Sequence, residues 1–258
     1  MRNNFLYDCH CHLNLPQFND NRDDVISRLD NELAFVINVG FDLKSSEASI
    51  ALNARYPFIW AAIGIHPADT VGVTENDLIR IKNMAHEPSV VAIGEIGLDY
   101  YWMKDTPTNQ KLLFRKQMTI AADLGKPVII HDRDAHDDVL SVMNEFNGSV
   151  KGVLHSFSGD TAMMHTAHAM GYYFSISGPV TYPGKRSEAL RDAVKAMPAD
   201  RILIETDSPY LAPQPMRGKS NEPVFVRHVF DFIVNLREEE PQHFSEQVRN
   251  NARAIFGI

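Results

Sequence analysis

The sequence predicts an α/β protein built as a single (β/α)8 TIM barrel, with a metal site at the C-terminal face of its strands. Three observations predict it. Eight short apolar, β-branched runs alternate with helix-like stretches, and the length of 258 residues matches the usual size of one such barrel. Histidines and carboxylates also recur at the C-terminal ends of runs far apart in the chain. An open sheet gathers ligands from the few strands at a switch point, whereas the top of a barrel collects many strand ends around one site.

The first strand is expected at residues 5–10 and leads into His10 and His12, with Asp8 on the same face because a strand sends alternate residues to one side. A helix at 23–32 and a strand at 35–39 follow. The third strand, 58–64, runs into a loop carrying His66, and the next helix is expected at 76–85. The fourth strand, 90–95, ends on Glu95, flanked by Gly94 and Gly97, which let backbone approach a crowded site. The helix at 109–124 has the cleanest three- and four-residue apolar spacing and stops at Gly125, before Pro127. Strands at 127–131 and 152–155 end on His131 and His155, with a helix at 135–145 between them. A helix at 162–170, a strand at 172–175, a helix at 187–197 and a strand at 202–205 complete the series, and Glu205 and Asp207 lie at its end. Most of the strands are nearly continuous apolar runs, as parallel strands covered by helices are. No repeat of fixed period or low-complexity linker divides the chain, so residues 1–258 are read as one domain.

Composition narrows the function. Hydrophobic residues make up 44% and charged residues 22%, enough apolar material for a continuous core. The net charge of −8 argues against a basic surface that coats nucleic acid, but not against a nucleic-acid enzyme, because bound cations supply local positive charge. Cys9 and Cys11 are the only cysteines and stand too awkwardly on one strand to pair, so a reducing compartment is expected. With no leader-like start and no long apolar run, the protein is expected to be soluble and cytoplasmic, without membrane association.

Four histidines, His10, His12, His131 and His155, together with Glu95 and Asp207, exceed what one tetrahedral ion requires. The surplus points to two divalent ions about 3.5–4 Å apart, with Glu95 as the natural bridge. Imidazole and carboxylate accept magnesium, manganese or zinc, so the metal stays open. Asp207 has a competing role as a turn cap before Pro209, and Glu205 is read either as a structural hydrogen-bonding group or as a support or substrate contact. His86, His136, His165, His168, His228 and His243 are expected to be structural or solvent-facing.

Several segments in order resemble the TatD-type metal-dependent deoxyribonucleases of the amidohydrolase superfamily. They are Asp8-Cys9-His10-Cys11-His12-Leu13, Gly64-Ile65-His66-Pro67, Gly94-Glu95-Ile96-Gly97-Leu98-Asp99-Tyr100, Lys126-Pro127-Val128-Ile129-Ile130-His131, His155-Ser156-Phe157 and Glu205-Thr206-Asp207-Ser208-Pro209. The likeness spans essentially the whole chain and departs at Asn14, where members often carry aspartate. It implies His10 and His12 on one ion, His131 and His155 on the other, Glu95 between them and Asp207 at the first. It also implies DNA as substrate, attack by metal-activated water, 3′ to 5′ exonuclease action on single strands and a place in DNA repair.

For that chemistry Asp207 and Glu95 are the catalytic candidates, with Asp207 accepting or orienting the proton of the attacking water. His66, Arg133 and Glu205 are the candidate substrate contacts, followed by Lys185, Arg217 and Lys219. Tyr100, Tyr101, Trp102, Tyr182 and Tyr210 either stack bases or pack loops over the rim. No obligate protein partner is evident, and a monomer is expected. The rival readings are an amidohydrolase acting on a small amide, lactone or ester, and a barrel that has lost catalysis.

Overall fold

The computed structural model describes residues 6–102 and 104–258; Phe5, the expected start of the first strand, lies outside them. Eight strands form one sheet in the order β1 to β8: β1 (Asp8–Cys11), β2 (Val36–Val39), β3 (Ile59–Ile63), β4 (Val90–Asp99), β5 (Val128–Arg133), β6 (Gly152–Leu154), β7 (Tyr173–Ile176) and β8 (Ile202–Ile204). The helices are α1 (Arg22–Glu32), α2 (Leu43–Arg55), α3 (Glu75–Met84), α4 (Pro107–Leu124), α5 (His136–Glu145), α6 (Thr161–Ala169), α7 (Lys185–Ala196), α8 (Val226–Arg237) and α9 (Pro241–Phe256). Every described strand pairing is parallel.

The chain resolves into two compact units. One holds the chain up to Asn38, Ser156–His165 and Phe174–Ile258, and the other holds Val39–His155 and Thr166–Tyr173. The first unit contains β7 paired to β8 and β1 paired to β2, with the end of β8 returning to β1 through a parallel bridge between Cys11 and Ser208. Its core includes Tyr7, Ile37, Phe174, Leu203, Phe230 and Phe244, all nearly inaccessible. The second unit contains β3 to β6 in one run, with Ile63 opposite Ile93, Ile96 opposite Ile130 and Ile130 opposite Leu154.

Helix ends follow local chemistry. Asp42 and Ser45 form a reciprocal capping box at α2, as do Thr74 and Asp77 at α3. Thr106 caps α4 ahead of Pro107, and Gly125 closes it with φ 63°. Three helices, α2, α8 and α9, lie outside the six drawn from apolar spacing. The reason is plain for α2, whose buried face consists of Ser45, Ser46 and Ser49. Gly40 makes that face possible, since a Cβ there would stand 2.6 Å from the Ser46 backbone. No helix among the described residues is long and apolar enough to cross a membrane.

One strand departs from expectation in a way that matters. Glu95 does not end β4 but sits inside it, because the strand runs on to Asp99 and pairs Gly97 with His131 and Asp99 with Arg133. Gly97 permits this approach: its φ is 138°, and a Cβ would meet the His131 carbonyl oxygen at 2.0 Å. The close approach expected at these glycines thus occurs between β4 and β5.

Candidate active site

In the first unit the two histidines of β1 and its end meet Asp207 from the segment after β8. His10 Nε2 is 3.2 Å from His12 Nε2, and Asp207 Oδ1 lies 3.7 Å from the first and 3.4 Å from the second. The backbone sets this placement: Asp207 N donates to His10 O at 2.9 Å and His12 N donates to Ser208 O at 2.8 Å. Asp207 adopts φ 57°, a left-handed conformation that the surrounding bonds must hold.

Those bonds come from residues whose importance the spacing did not reveal. Asp8, expected to face the same point as the histidines, instead accepts hydrogen bonds from the His10 and Thr206 backbone N–H groups and the Thr206 hydroxyl. Burial pushes its carboxyl pKa well above the ordinary value, against those hydrogen bonds. Asn221 Nδ2 donates to the carbonyls of Thr206 and Tyr210 at 2.9 and 2.6 Å, bracketing Asp207. Asn38 accepts from Leu13 N at 2.6 Å and donates to Asn14 Oδ1 at 3.0 Å, so Asn14 serves the turn after His12.

Glu205 is fully buried. It accepts from Ser156 N at 2.7 Å and from the Ser175 hydroxyl, with the Cys9 thiol 4.0 Å away. These bonds tie the buried carboxylate to the loop after β6 and to β7. Cys9 and Cys11 are free and buried, and burial pushes both thiols up in pKa.

In the second unit Glu95, His131 and His155 converge from β4, β5 and the end of β6. Glu95 Oε1 is 2.8 Å from His131 Nδ1 and 2.7 Å from His155 Nε2, and the two nitrogens are 3.2 Å apart. The far nitrogen of His131, Nε2, meets Asp99 Oδ2 at 3.0 Å. An imidazole N–H given to a carboxylate leaves the opposite nitrogen with its lone pair toward the cluster, as in metal-binding histidines. Burial pulls the His131 pKa down, but the hydrogen bonds to Asp99 and Glu95 outweigh it and leave the imidazole above its ordinary value. Asp99, at the end of the extended β4, is the residue that strand-end reasoning missed.

His66 joins this cluster from the loop after β3. Its ring centroid is 4.3 Å from that of His131, and its Nε2 is 3.6 Å from Glu95 Oε1. Nδ1 accepts a hydrogen bond from Ala68 N at 3.0 Å, which places the ring proton on Nε2. Burial and the neighbouring His131 push its pKa down to about 3, so His66 is a neutral donor near pH 7.

Two buried glutamines on α4 hold both loops. Gln117 donates to Ile65 O at 2.9 Å and accepts from Ile65 N at 2.8 Å, fixing the residue before His66. Gln110 accepts from Asp99 N at 2.9 Å and donates to Asp99 O at 3.1 Å. Seven residues apart, they share one face of the helix. Elsewhere, Arg133 stacks over Tyr101 at 4.3 Å, Arg217 stacks over Tyr182 at 4.6 Å, and His136 pairs with Asp132 at 2.7 Å.

Both clusters fit a divalent cation by their donor chemistry. Nitrogen and oxygen ligands about 2.0–2.2 Å from one ion stand about 3–3.5 Å from each other. The edges of the first triangle are 3.2, 3.4 and 3.7 Å, and those of the second are 2.7, 2.8 and 3.2 Å, straddling that spacing.

A family model described as TatD related DNase matches residues 7–257. The chain is 40% identical to the uncharacterized metal-dependent hydrolase YabD of Bacillus subtilis, over 98% of this chain and 99% of that protein. It is 36% identical, over the same shares, to a protein of Enterobacter lignolyticus named 3′-5′ ssDNA/RNA exonuclease TatD. The crystal structure of YjjV, a TatD homologue from Escherichia coli K12, superposes with a TM-score of 0.91 at 27% identity, covering 98% of each chain. Eight parallel strands alternating with helices in a TIM barrel are therefore this chain's fold. The chain belongs to the TatD-related DNase family and is, by that membership, a metal-dependent hydrolase acting on ester bonds.

Proposed function

We propose that this protein is a deoxyribonuclease that removes nucleotides from the 3′ end of single-stranded DNA, using two divalent ions, one in each cluster. The observation that carries the reading is the pair of donor triangles built from the strands and the segments that follow them, one in each four-stranded half of a (β/α)8 sheet. The exonuclease name of the Enterobacter relative supports the substrate class.

In this reading His10, His12 and Asp207 would hold one ion, and Glu95, His131 and His155 would hold the other. Magnesium, manganese and zinc all suit such donors. When bound, paired ions acidify water and neutralise charge on the attacking and departing oxygens of a phosphodiester. The protein's own groups then have distinct tasks. Asp207 Oδ accepts the proton of the incoming water. His66, neutral and protonated on Nε2, donates to a phosphoryl oxygen without changing charge. Arg133 offers its guanidinium to the substrate backbone. Residues 1–258 act together as one barrel domain and as a monomer, without an obligate protein partner. An acidic chain with two buried thiols suits work in the reducing cytoplasm, where DNA ends awaiting repair supply the substrate.

The test is incubation of manganese-loaded protein with 5′-labelled single-stranded DNA beside a panel of small amides and lactones. A ladder shortening from the 3′ end, abolished by chelator and by Glu95→Gln, is the expected result. Intact DNA with turnover of a lactone or amide would overturn it, as would no turnover of any substrate.

A further inference from the structure

The turn after β4 exposes two large aromatics side by side, Tyr101 at 57% and Trp102 at 62% of their full accessibility. An aromatic pair this exposed offers a contiguous apolar surface of the kind that marks interaction sites. They are not loosely held. The backbone N–H groups of Tyr101 and Trp102 both donate to Asp99 Oδ1, at 3.0 and 2.8 Å, and Asp99 itself is buried. The other oxygen of the same carboxylate meets His131 Nε2 at 3.0 Å. One buried aspartate thus ties an aromatic turn to a candidate metal ligand.

The three side chains around this turn divide the work geometrically. Arg133, opposite Asp99 in the β4–β5 register, lays its guanidinium over the Tyr101 ring at 4.3 Å. Stacking engages the flat face of the guanidinium and leaves its in-plane N–H donors for an anion. Tyr101 meets the Trp102 indole edge to face, with centroids 4.9 Å apart and planes at 89°. Tyr101 thus stands between Arg133 and Trp102, and Trp102 keeps most of its indole surface exposed.

We propose that Trp102, braced by Tyr101, is a stacking platform for a nucleobase of single-stranded nucleic acid, and that Arg133 takes the phosphate beside that base. Indole faces bind bases of any sequence by stacking, and a cation at the platform's edge suits the polyanionic backbone. With a net charge of −8, the chain has no general attraction for such a polyanion, so a local aromatic and cationic grip supplies the affinity. The platform rests on the nuclease reading for its substrate, but it is tested separately.

Trp60 and Trp102 are the only tryptophans, so Trp60→Phe leaves Trp102 as the sole indole reporter. Metal-free W60F titrated with an oligothymidylate should show saturable quenching, weakened about tenfold in affinity when the 3′-terminal base is replaced by an abasic sugar. In the wild-type background, Trp102→Ala should raise KM for the oligonucleotide about tenfold with little change in kcat, and Trp102→Phe should restore most of it. Absence of quenching, or equal effects of Trp102→Ala on the normal and abasic substrates, would overturn the platform. Quenching without cleavage would leave the platform standing and sink the nuclease reading instead.

Discussion

The two four-stranded halves of the sheet each carry a cluster of potential ligands, yet they build it differently. In the half formed by β7, β8, β1 and β2, the ligands come from two adjoining segments, and main-chain bonds between β1 and the 206–210 segment set their spacing. In the half formed by β3 to β6, His66, Glu95, Asp99, His131 and His155 come from four separate segments, and side chains hold them. The first cluster is a local motif of a strand and its neighbour. The second is a product of packing, in which α4 reaches two loops with two amides.

Tolerance to substitution should follow that contrast. The largest effect is expected for Glu95→Gln, which removes the charge between His131 and His155. Metal content measured by mass spectrometry should fall in the second cluster, and hydrolysis should drop by more than the ~100-fold typical of losing an outer-sphere partner. Asp207→Asn should cut kcat by about 10²–10⁴-fold with little change in oligonucleotide binding, read by paired turnover and binding assays. Equal loss of binding would make Asp207 a structural residue and erase the distinction.

Gly97→Ala should destabilise by about 3 kcal/mol or more, because the added Cβ meets the His131 carbonyl oxygen at 2.0 Å in a left-handed backbone. Thermal unfolding measures it, and an unchanged Tm would show that β4 and β5 are not locked at this point. Gln117→Leu should cost about 1–3 kcal/mol by stranding two buried main-chain groups of Ile65. It should also lower kcat through misplacement of His66, while metal content in the first cluster stays unchanged.

The smallest effect lies at the surface of the second half. Asp138 accepts from the Tyr100 hydroxyl at 2.6 Å and pairs with Lys111 at 3.2 Å, chiefly lowering its pKa below the ordinary 3.8 through the first of these bonds. A depressed carboxylate contributes stability above its unfolded value and loses it as pH falls through its folded one. Asp138→Asn should therefore lower Tm by about 1–2 °C near neutrality, with the gap closing on acidification below 3.8.

Much of this is legible in the sequence, α8 and α9 included by the helical spacing of their buried apolar residues, and the polar residues that are hidden share one cause. The His10 and His12 pair follows from the two-residue period of a strand, and His131 and His155 follow from apolar runs that stop on a polar residue. Asp99 is hidden because the apolar run of the fourth strand breaks at Glu95, although the strand continues to Asp99. Gln110 and Gln117 were hidden because polar residues on a helix read as its solvent face, although both amides are spent on buried main chain. Asn38 and Asn221 share that disguise, and the serines of α2 conceal a whole helix for the same reason. Apolar periodicity finds surfaces buried by hydrophobicity; it does not find those buried by hydrogen bonding.

The central claim is that both triangles hold ions at once. Anomalous diffraction from crystals grown with manganese tests it most directly. Two peaks are predicted, one among His10, His12 and Asp207 and one among Glu95, His131 and His155, with the second lost in His131→Ala. A single peak, or none at these side chains, would contradict the account.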